Sequence, residues 1–416
     1  MVLLILVFIL ILIFLYDSKI FVYSLMVFFV LYDMLDGFYE DTELYAIMRY
    51  IIPLLLILFF IIKKSALKKS DFIFLVLGLY LLLLLIFSHG DIIISSKTLL
   101  ALLLALFMIP VGRYIGMHVD FLREFEGFNR FLLIILPIYI VICNIFQIGE
   151  SYTDAFTSGF LVTSRMYIFP IVIFLAIHYV IFNNNQSKIS KVSDIVFIII
   201  NIGIIIINTR RTAIGMLIAA LLVYTVLNRK IIFKMVIFIL FLISGLVLSY
   251  PLYVDKLTAQ YERRDRIMNI DTYEEEGRYI ETISIFDYHS REQKLTAILF
   301  GVKLFDTFDF GLIYFGRGRP IHSDINMIFY STGLIGKILF TLFFMHYFFF
   351  GNRNVIEQNR KIYYPILIMF LIVLIPGRFI GTLTFAPLLM LILAALKVQK
   401  PKPRIYFSDL KVNTHV

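Results

Sequence analysis

Uncharged apolar runs recur along the whole chain, each a dozen residues or longer and each separated by a short polar stretch. Such runs predict membrane-crossing helices, since a bilayer leaves no water to satisfy an unpaired backbone. Thirteen runs stand out: 2–16, 20–32, 50–62, 72–88, 98–112, 131–149, 166–182, 195–208, 213–227, 232–250, 324–350, 362–376 and 379–396. The first two are short, about 20–25 Å as helices at 1.5 Å per residue, against a hydrocarbon layer of about 30 Å. They form either a tight hairpin or one span plus an interfacial piece, so the expected total is roughly 12–14 helices. The alternating ten-residue segments of a barrel are missing, and no internal repeat is visible.

The fold class predicted is therefore an all-α polytopic membrane protein. Four regions follow: an N-terminal bundle over 1–250, a large loop over 251–323, further spans over 324–396, and a tail over 397–416. The loop carries mixed composition, and "YERRDRIMNIDTYEEEGRYIETISIF" reads as one or two amphipathic helices capping the bundle.

Composition agrees. Of 416 residues, 61% are hydrophobic and only 16% charged, which places the chain with membrane proteins. The net charge of +9 would suit nucleic acid, but the cations sit in short loops, where they set orientation instead. Basic loops lie at Lys63–Ser70, around Lys188 and Lys191, at Asn228–Lys234, at Asn352–Lys361 and in the tail from Lys397. With alternating helices all five share one side, the cytoplasmic one, and the acidic stretch Asp33–Glu43 falls outside. The single Cys143 lies in an apolar run and reads as packing. No zinc spacing, phosphate-binding loop or dinucleotide fingerprint occurs, and no cofactor is expected. The apolar N-terminus lacks a basic flank and a small-residue cleavage site, so it is expected to be retained.

The positive-inside bias makes the remaining external cations the informative ones: Arg165, Arg210, Arg211, Arg278, Arg317, Arg319 and Arg378. In "NTRRTAIGM" the preceding run is short, so Arg210 and Arg211 fall near membrane depth, where an arginine costs at least ~2.5–3.5 kcal/mol without an anion or polar cavity. Snorkelling to lipid phosphates accounts for either one alone. Several such cations at separate hairpins favour a shared site for an anionic ligand, and the guanidinium fork favours phosphate. In "FGRGRPIHSDINMIFYSTGLIG", His322 stands at the mouth of a span behind Arg317 and Arg319, which would hold its ring neutral, as a general base requires. Asp324 and Asn326 are placed to orient the ring or bind hydroxyls, although residues two apart do not share a helical face. Glu274, Glu275 and Glu276 read as a solvated charge run, with Glu276 an alternative base, and Tyr279 and Tyr314 are candidates for stacking on sugars.

Several of these stretches, in this order, resemble the O-antigen polymerase and O-antigen ligase family. "TRRTAIGMLIAALL" is similar to its start of a span at a hairpin tip, and "EEEGRYIETI" to the Gly-Arg opening the second half of its periplasmic loop. "ILFGVKLF" and "IHSDINMIFYSTGLIGKILF" are similar to its Gly-x-Gly stretch and its His-Asn entry into the next span. The likeness covers about residues 195–345. Ser323 stands where the family usually has Asn, "FGVKLF" keeps one of two glycines, and Lys337 interrupts the apolar run, either meeting a buried carboxylate or snorkelling.

The resemblance implies a metal-independent glycosyltransferase of GT-C-like architecture in the bacterial inner membrane. Its site would face the periplasm and use undecaprenyl-diphosphate-linked oligosaccharides. It also implies functional roles for Arg211, Arg278 and His322. The chemistry suggests Arg211 and Arg278 as diphosphate clamps, Arg210, Arg319, Arg378 and Asp324 as further substrate contacts, and His322 as the base. A polymerase, with a chain-length regulator as possible partner, is the first expectation. A ligase using lipid A core as acceptor and a lipid-linked oligosaccharide flippase are the alternatives, the last disfavoured because the polar cluster lies on one face.

Overall fold

In a computed structural model, residues 2–39, 42–149, 156–182, 187–208, 211–229, 232–250, 254, 258, 277–292, 295–316, 318–375 and 377–398 are described. They form helices α1 (Val2–Tyr16), α2 (Ser18–Met34), α3 (Glu43–Lys63), α4 (Lys69–Phe87), α5 (Ile92–His118) and α6 (Phe121–Ile145). Next come α7 (Thr163–Phe182), α8 (Lys188–Ile207), α9 (Arg211–Leu227) and α10 (Ile232–Ser249). The long loop contributes α11 (Gly277–Glu292), α12 (Leu295–Phe300) and α13 (Phe308–Phe315), followed by α14 (Asp324–Phe349), α15 (Glu357–Leu374) and α16 (Ala386–Val398). Among the described residues seven helices, α3 to α8 and α14, are long and apolar enough to cross a membrane, and α1, α9 and α16 are shorter apolar helices.

Every one of the thirteen apolar runs falls on a helix, but some boundaries move. Capping explains two of them. The Asp91 carboxylate accepts the N–H groups of Ile93 and Ile94, at 2.8 and 3.1 Å, and starts α5 six residues before its apolar run. Asp120 caps α6 in the same way, so that helix begins ten residues early. The run expected over 379–396 becomes helical only from Ala386, because the backbone of Phe379 and Ile380 is engaged elsewhere.

The centre is formed by α7 and α16, whose faces are apolar all round and almost entirely buried. Along α16 lies α5, where Gly112 and Gly116 admit close contact: a Cβ on Gly116 would stand 2.2 Å from the Ala395 carbonyl oxygen. By contrast α1 and α4 turn Leu4, Phe8, Leu75, Leu79 and Ile86 outward, as helices facing lipid do.

Contacts between helix ends divide the bundle into two ends. At the basic end Asp71, opening α4, meets Arg113 late in α5 and Tyr347 late in α14, and Lys397 of α16 donates to the Tyr347 carbonyl at 2.6 Å. At the other end Ser88 and Asp91, between α4 and α5, bond Leu304 and Asp306 of the long loop. There too Arg165 in the first turn of α7 meets Asp36 after α2.

Helix α14 is broken at Gly333 (φ 63°, ψ −165°). Its released backbone groups are taken up from outside the helix. Val302 N–H donates to the Tyr330 carbonyl at 3.0 Å, and the Tyr80 hydroxyl to the Thr332 carbonyl at 2.6 Å. A broken helix persists at membrane depth only where neighbours re-satisfy its backbone in this way. The "ILFGVKLF" and "STGLIG" stretches, thirty residues apart in sequence, thus cross backbone to backbone, with Gly301 against Ser331 and Gly333 against Leu299.

Candidate functional site

Three segments converge at the loop end: α11, the 316–323 connection into α14, and the 375–385 connection into α16. Glu281 joins the first two. Its carboxylate is 1% exposed, accepts Arg319 Nη2 at 2.8 Å through Oε1, and accepts the backbone N–H of His322 at 3.1 Å through Oε2. The Arg319 guanidinium also lies over the Phe315 ring, 3.5 Å from its centroid. One turn into α14, Asn326 donates to Thr282 Oγ1 at 3.0 Å, a second tie between α11 and α14.

The His322 side chain is 40% exposed and its Nδ1 lies 2.9 Å from the Pro320 carbonyl oxygen. A carbonyl only accepts, so Nδ1 carries the proton of the neutral ring and Nε2 presents a lone pair. That is the tautomer a general base needs. The charge around the ring is not set by arginines alone, because Oε1 of Glu281 stands 3.8 Å from Nδ1.

Asp324 is 2% exposed and faces the third segment. It accepts the N–H groups of Phe379 at 2.7 Å and Ile380 at 3.0 Å, a backbone concavity of the kind that holds anions. Gly377 (φ 101°) and Arg378 (φ 81°) turn the chain tightly in front of it. A Cβ on Gly377 would fall 1.3 Å from the His322 carbonyl oxygen, so only glycine lets this loop lie against the histidine. Asp324 thus ties the start of α14 to the backbone of the 378–380 turn.

Arg378 is half-buried, and among the described residues its guanidinium makes no ion pair or side-chain hydrogen bond. Burial pushes its pKa down, with Tyr167, Asp324 and Glu281 acting the other way. An arginine at this depth stays charged, so it favours an anion close by.

The same loop continues into a second polar network. Thr382 donates to the Arg378 carbonyl at 2.7 Å and meets Ser164 at 3.0 Å, and Thr384 bonds Asp33. Arg49 bridges Asp33 and Asp36, and Arg165 Nη2 reaches Asp36 at 2.5 Å. Burial raises the Asp36 pKa, but Arg165 and Arg49 outweigh it and hold the carboxyl below its usual range.

The remaining sequence candidates are placed as follows. Arg211 opens α9 at this end with its side chain exposed, and α9 packs along α15, which leads into Arg378. Arg278 falls in the first turn of α11, and its side chain lies outside the described residues, as do Tyr279's side chain and all of Arg210, Arg317 and Glu274 to Glu276. Tyr314 donates its hydroxyl to Asp287 at 2.7 Å. Lys337 places its ammonium 5.1 Å from the Phe329 ring centroid. Among the described residues no group of three or more His, Cys, Asp or Glu side chains is arranged to hold a metal ion.

Two features were missed from sequence. Glu281 shares one face of α11 with Ile285 and Tyr288, at helical spacing, and an acid within an apolar stripe was a readable sign. The partnership of Asp33, Asp36, Arg49 and Arg165 joins residues up to 132 positions apart and left only the acidic stretch as a hint.

Fold and composition together define a multi-pass helical membrane protein. No protein-family model matches the chain, and neither a curated protein nor a solved structure matches it.

Proposed function

We propose that the protein is a surface-polysaccharide polymerase, of the O-antigen type, working on lipid-diphosphate-linked sugars. The observation that carries this reading is Arg378, half-buried and making no ion pair or side-chain hydrogen bond among the described residues, on a loop packed against His322. In the proposed reaction the growing glycan leaves undecaprenyl diphosphate and joins the non-reducing end of a new lipid-linked repeat unit. His322 Nε2 takes the proton of the acceptor hydroxyl as its oxygen attacks the anomeric carbon. The bond from that carbon to the diphosphate oxygen breaks, and the diphosphate departs with the electron pair. Arg378, with Arg211 and Arg278 at the same end, stabilises the charge that develops on it.

On this reading the loop end faces the periplasm, the basic end faces the cytoplasm, and the thirteen apolar helices are spans of a bacterial inner-membrane protein. Helices α11 to α13 then cap the site from the periplasmic side, and a chain-length regulator is a natural partner. The expected metal independence rests on guanidinium groups in the place of a metal clamp.

The test is complementation of a strain lacking this gene with wild type, Arg378→Ala or His322→Ala, matched for membrane abundance. Surface glycan is resolved on a gel and lipid-linked intermediates are extracted. Loss of the ladder in both variants, with single repeat units persisting on carrier lipid or core, is the expected result. Full-length chains accumulating on the carrier lipid would instead identify a ligase. Repeat units confined to the cytoplasmic leaflet would identify a flippase, and normal ladders in both variants would overturn the site.

A further inference from the structure

We infer that Glu281 is a positioning residue for His322, holding the 319–322 connection in place and stabilising the ring when it takes up a second proton. This rests on the reading of His322 as proton acceptor.

Three observations carry it. Both carboxylate oxygens are committed to the same short connection, one to the Arg319 side chain and one to the His322 backbone. The backbone bond fixes where the imidazole starts, and the Nδ1 contact with Pro320 fixes which way it turns. At 3.8 Å from Nδ1, the Glu281 carboxylate is also within ion-pairing reach of the ring. Because it is buried, its field on the imidazolium is screened less than that of a surface acid.

Other charged groups face the same place. Arg319 on the histidine's own connection and Arg378 on the 375–385 loop disfavour a doubly protonated ring. Asp324, at the start of α14, acts against them, but its oxygens are committed to the backbone of Phe379 and Ile380. Among the described residues Glu281 therefore supplies a counter-charge at Nδ1. A base that is neutral at rest and cationic after proton transfer needs such a neighbour, close enough to favour the cation yet paired with an arginine beforehand.

A carboxylate that merely staples α11 to α14 would leave the ring's proton affinity unchanged, which separates the two roles. The full-length protein, carrying 13C-labelled histidine in lipid nanodiscs, is titrated by NMR. Among the seven histidines of the chain, the His322 signal is identified by its loss in His322→Ala. Glu281→Gln is expected to lower the His322 midpoint by about one unit, the smaller end of the effect of an opposite charge at this distance. Glu281→Asp, which keeps the charge but withdraws it, is expected to lie between the two. The acid limb of kcat/KM against pH moves the same way in the Gln variant.

An unchanged midpoint in folded Glu281→Gln overturns the inference. Should that variant fail to fold, a wild-type midpoint in Glu281→Asp overturns it equally. The two readings fail separately. A shifted midpoint in a protein that forms no polymer keeps the Glu281–His322 coupling and removes the polymerase, whereas polymerisation with an unshifted midpoint does the reverse.

Discussion

The two ends of the bundle both pair their buried charges, and they differ at Arg378. At the basic end Asp71 takes a two-pronged contact from Arg113, at 2.7 and 2.5 Å, and a hydroxyl from Tyr347 at 2.6 Å. Arg113 also donates to the Ala66 carbonyl at 2.9 Å. Three helices and a turn are thereby joined through one carboxylate and one guanidinium. At the loop end the pairs Arg49–Asp33, Arg165–Asp36 and Arg319–Glu281 follow the same rule, yet Arg378 beside them has no such partner among the described residues. A closed set of charges joins helices, whereas a half-buried cation that makes no direct ion pair is set up to receive an anion. The difference marks one end as structural and the other as the place where chemistry is proposed.

The largest effect is expected at the closed end. Asp71→Ala leaves the Arg113 guanidinium buried without its carboxylate, at a cost of about 3–5 kcal/mol. Thermal unfolding in detergent should show the variant melting far below wild type, or the protein should be lost from the membrane. A wild-type melting curve would show that this end does not depend on the fork.

Next comes Arg378→Ala. Transfer activity should fall about 10²–10³-fold, the usual loss when one group that stabilises developing charge is removed. Melting should stay near wild type, since no ion pair is broken. Arg378→Lys should recover only part of the rate, because an ammonium lacks the bidentate fork.

A smaller change is expected from Gly377→Ala, where the backbone conformation alone costs about 1–3 kcal/mol and the new methyl displaces the His322 carbonyl. The melting temperature and the activity should fall together, unlike the separation expected for Arg378→Ala.

The smallest effect concerns Asp36. Its folded pKa lies below the usual range, so its contribution is complete above the unfolded value of about 3.9 and is lost as pH falls through the folded value. Melting followed from pH 6 down to about pH 3 should show wild type losing more stability than Asp36→Asn over the acid part of that range. Parallel curves would remove Asp36 from the network's pH response.

The helices were legible because apolar runs report them directly, and the side preference of the loops follows lysine and arginine counts. The placement of His322 and Arg378 near one another was partly legible: each was an external cation or base at a span mouth. What brings them together was not. Gly377 must lie against the His322 carbonyl, and Asp324 must hold the backbone of Phe379 and Ile380, contacts that join positions more than fifty residues apart. Asp324 read as a ligand contact because an acid beside a histidine suggests chemistry, and nothing local says that its oxygens face backbone. The break of α14 at Gly333 was equally hidden, since "STGLIG" lies in an apolar run and the groups that stabilise the break come from Tyr80 and Val302.

The most direct test of the central claim, that the loop end receives a diphosphate through Arg378, is ligand-induced stabilisation of the purified full-length protein. Undecaprenyl diphosphate and undecaprenol, which differ only in the anionic head, are each added to wild type and to Arg378→Ala, and melting is followed. The account predicts that the diphosphate raises the wild-type melting temperature well above the effect of the alcohol, and that Arg378→Ala erases most of that difference. Equal stabilisation by the two lipids, or a diphosphate effect that survives Arg378→Ala intact, would contradict it.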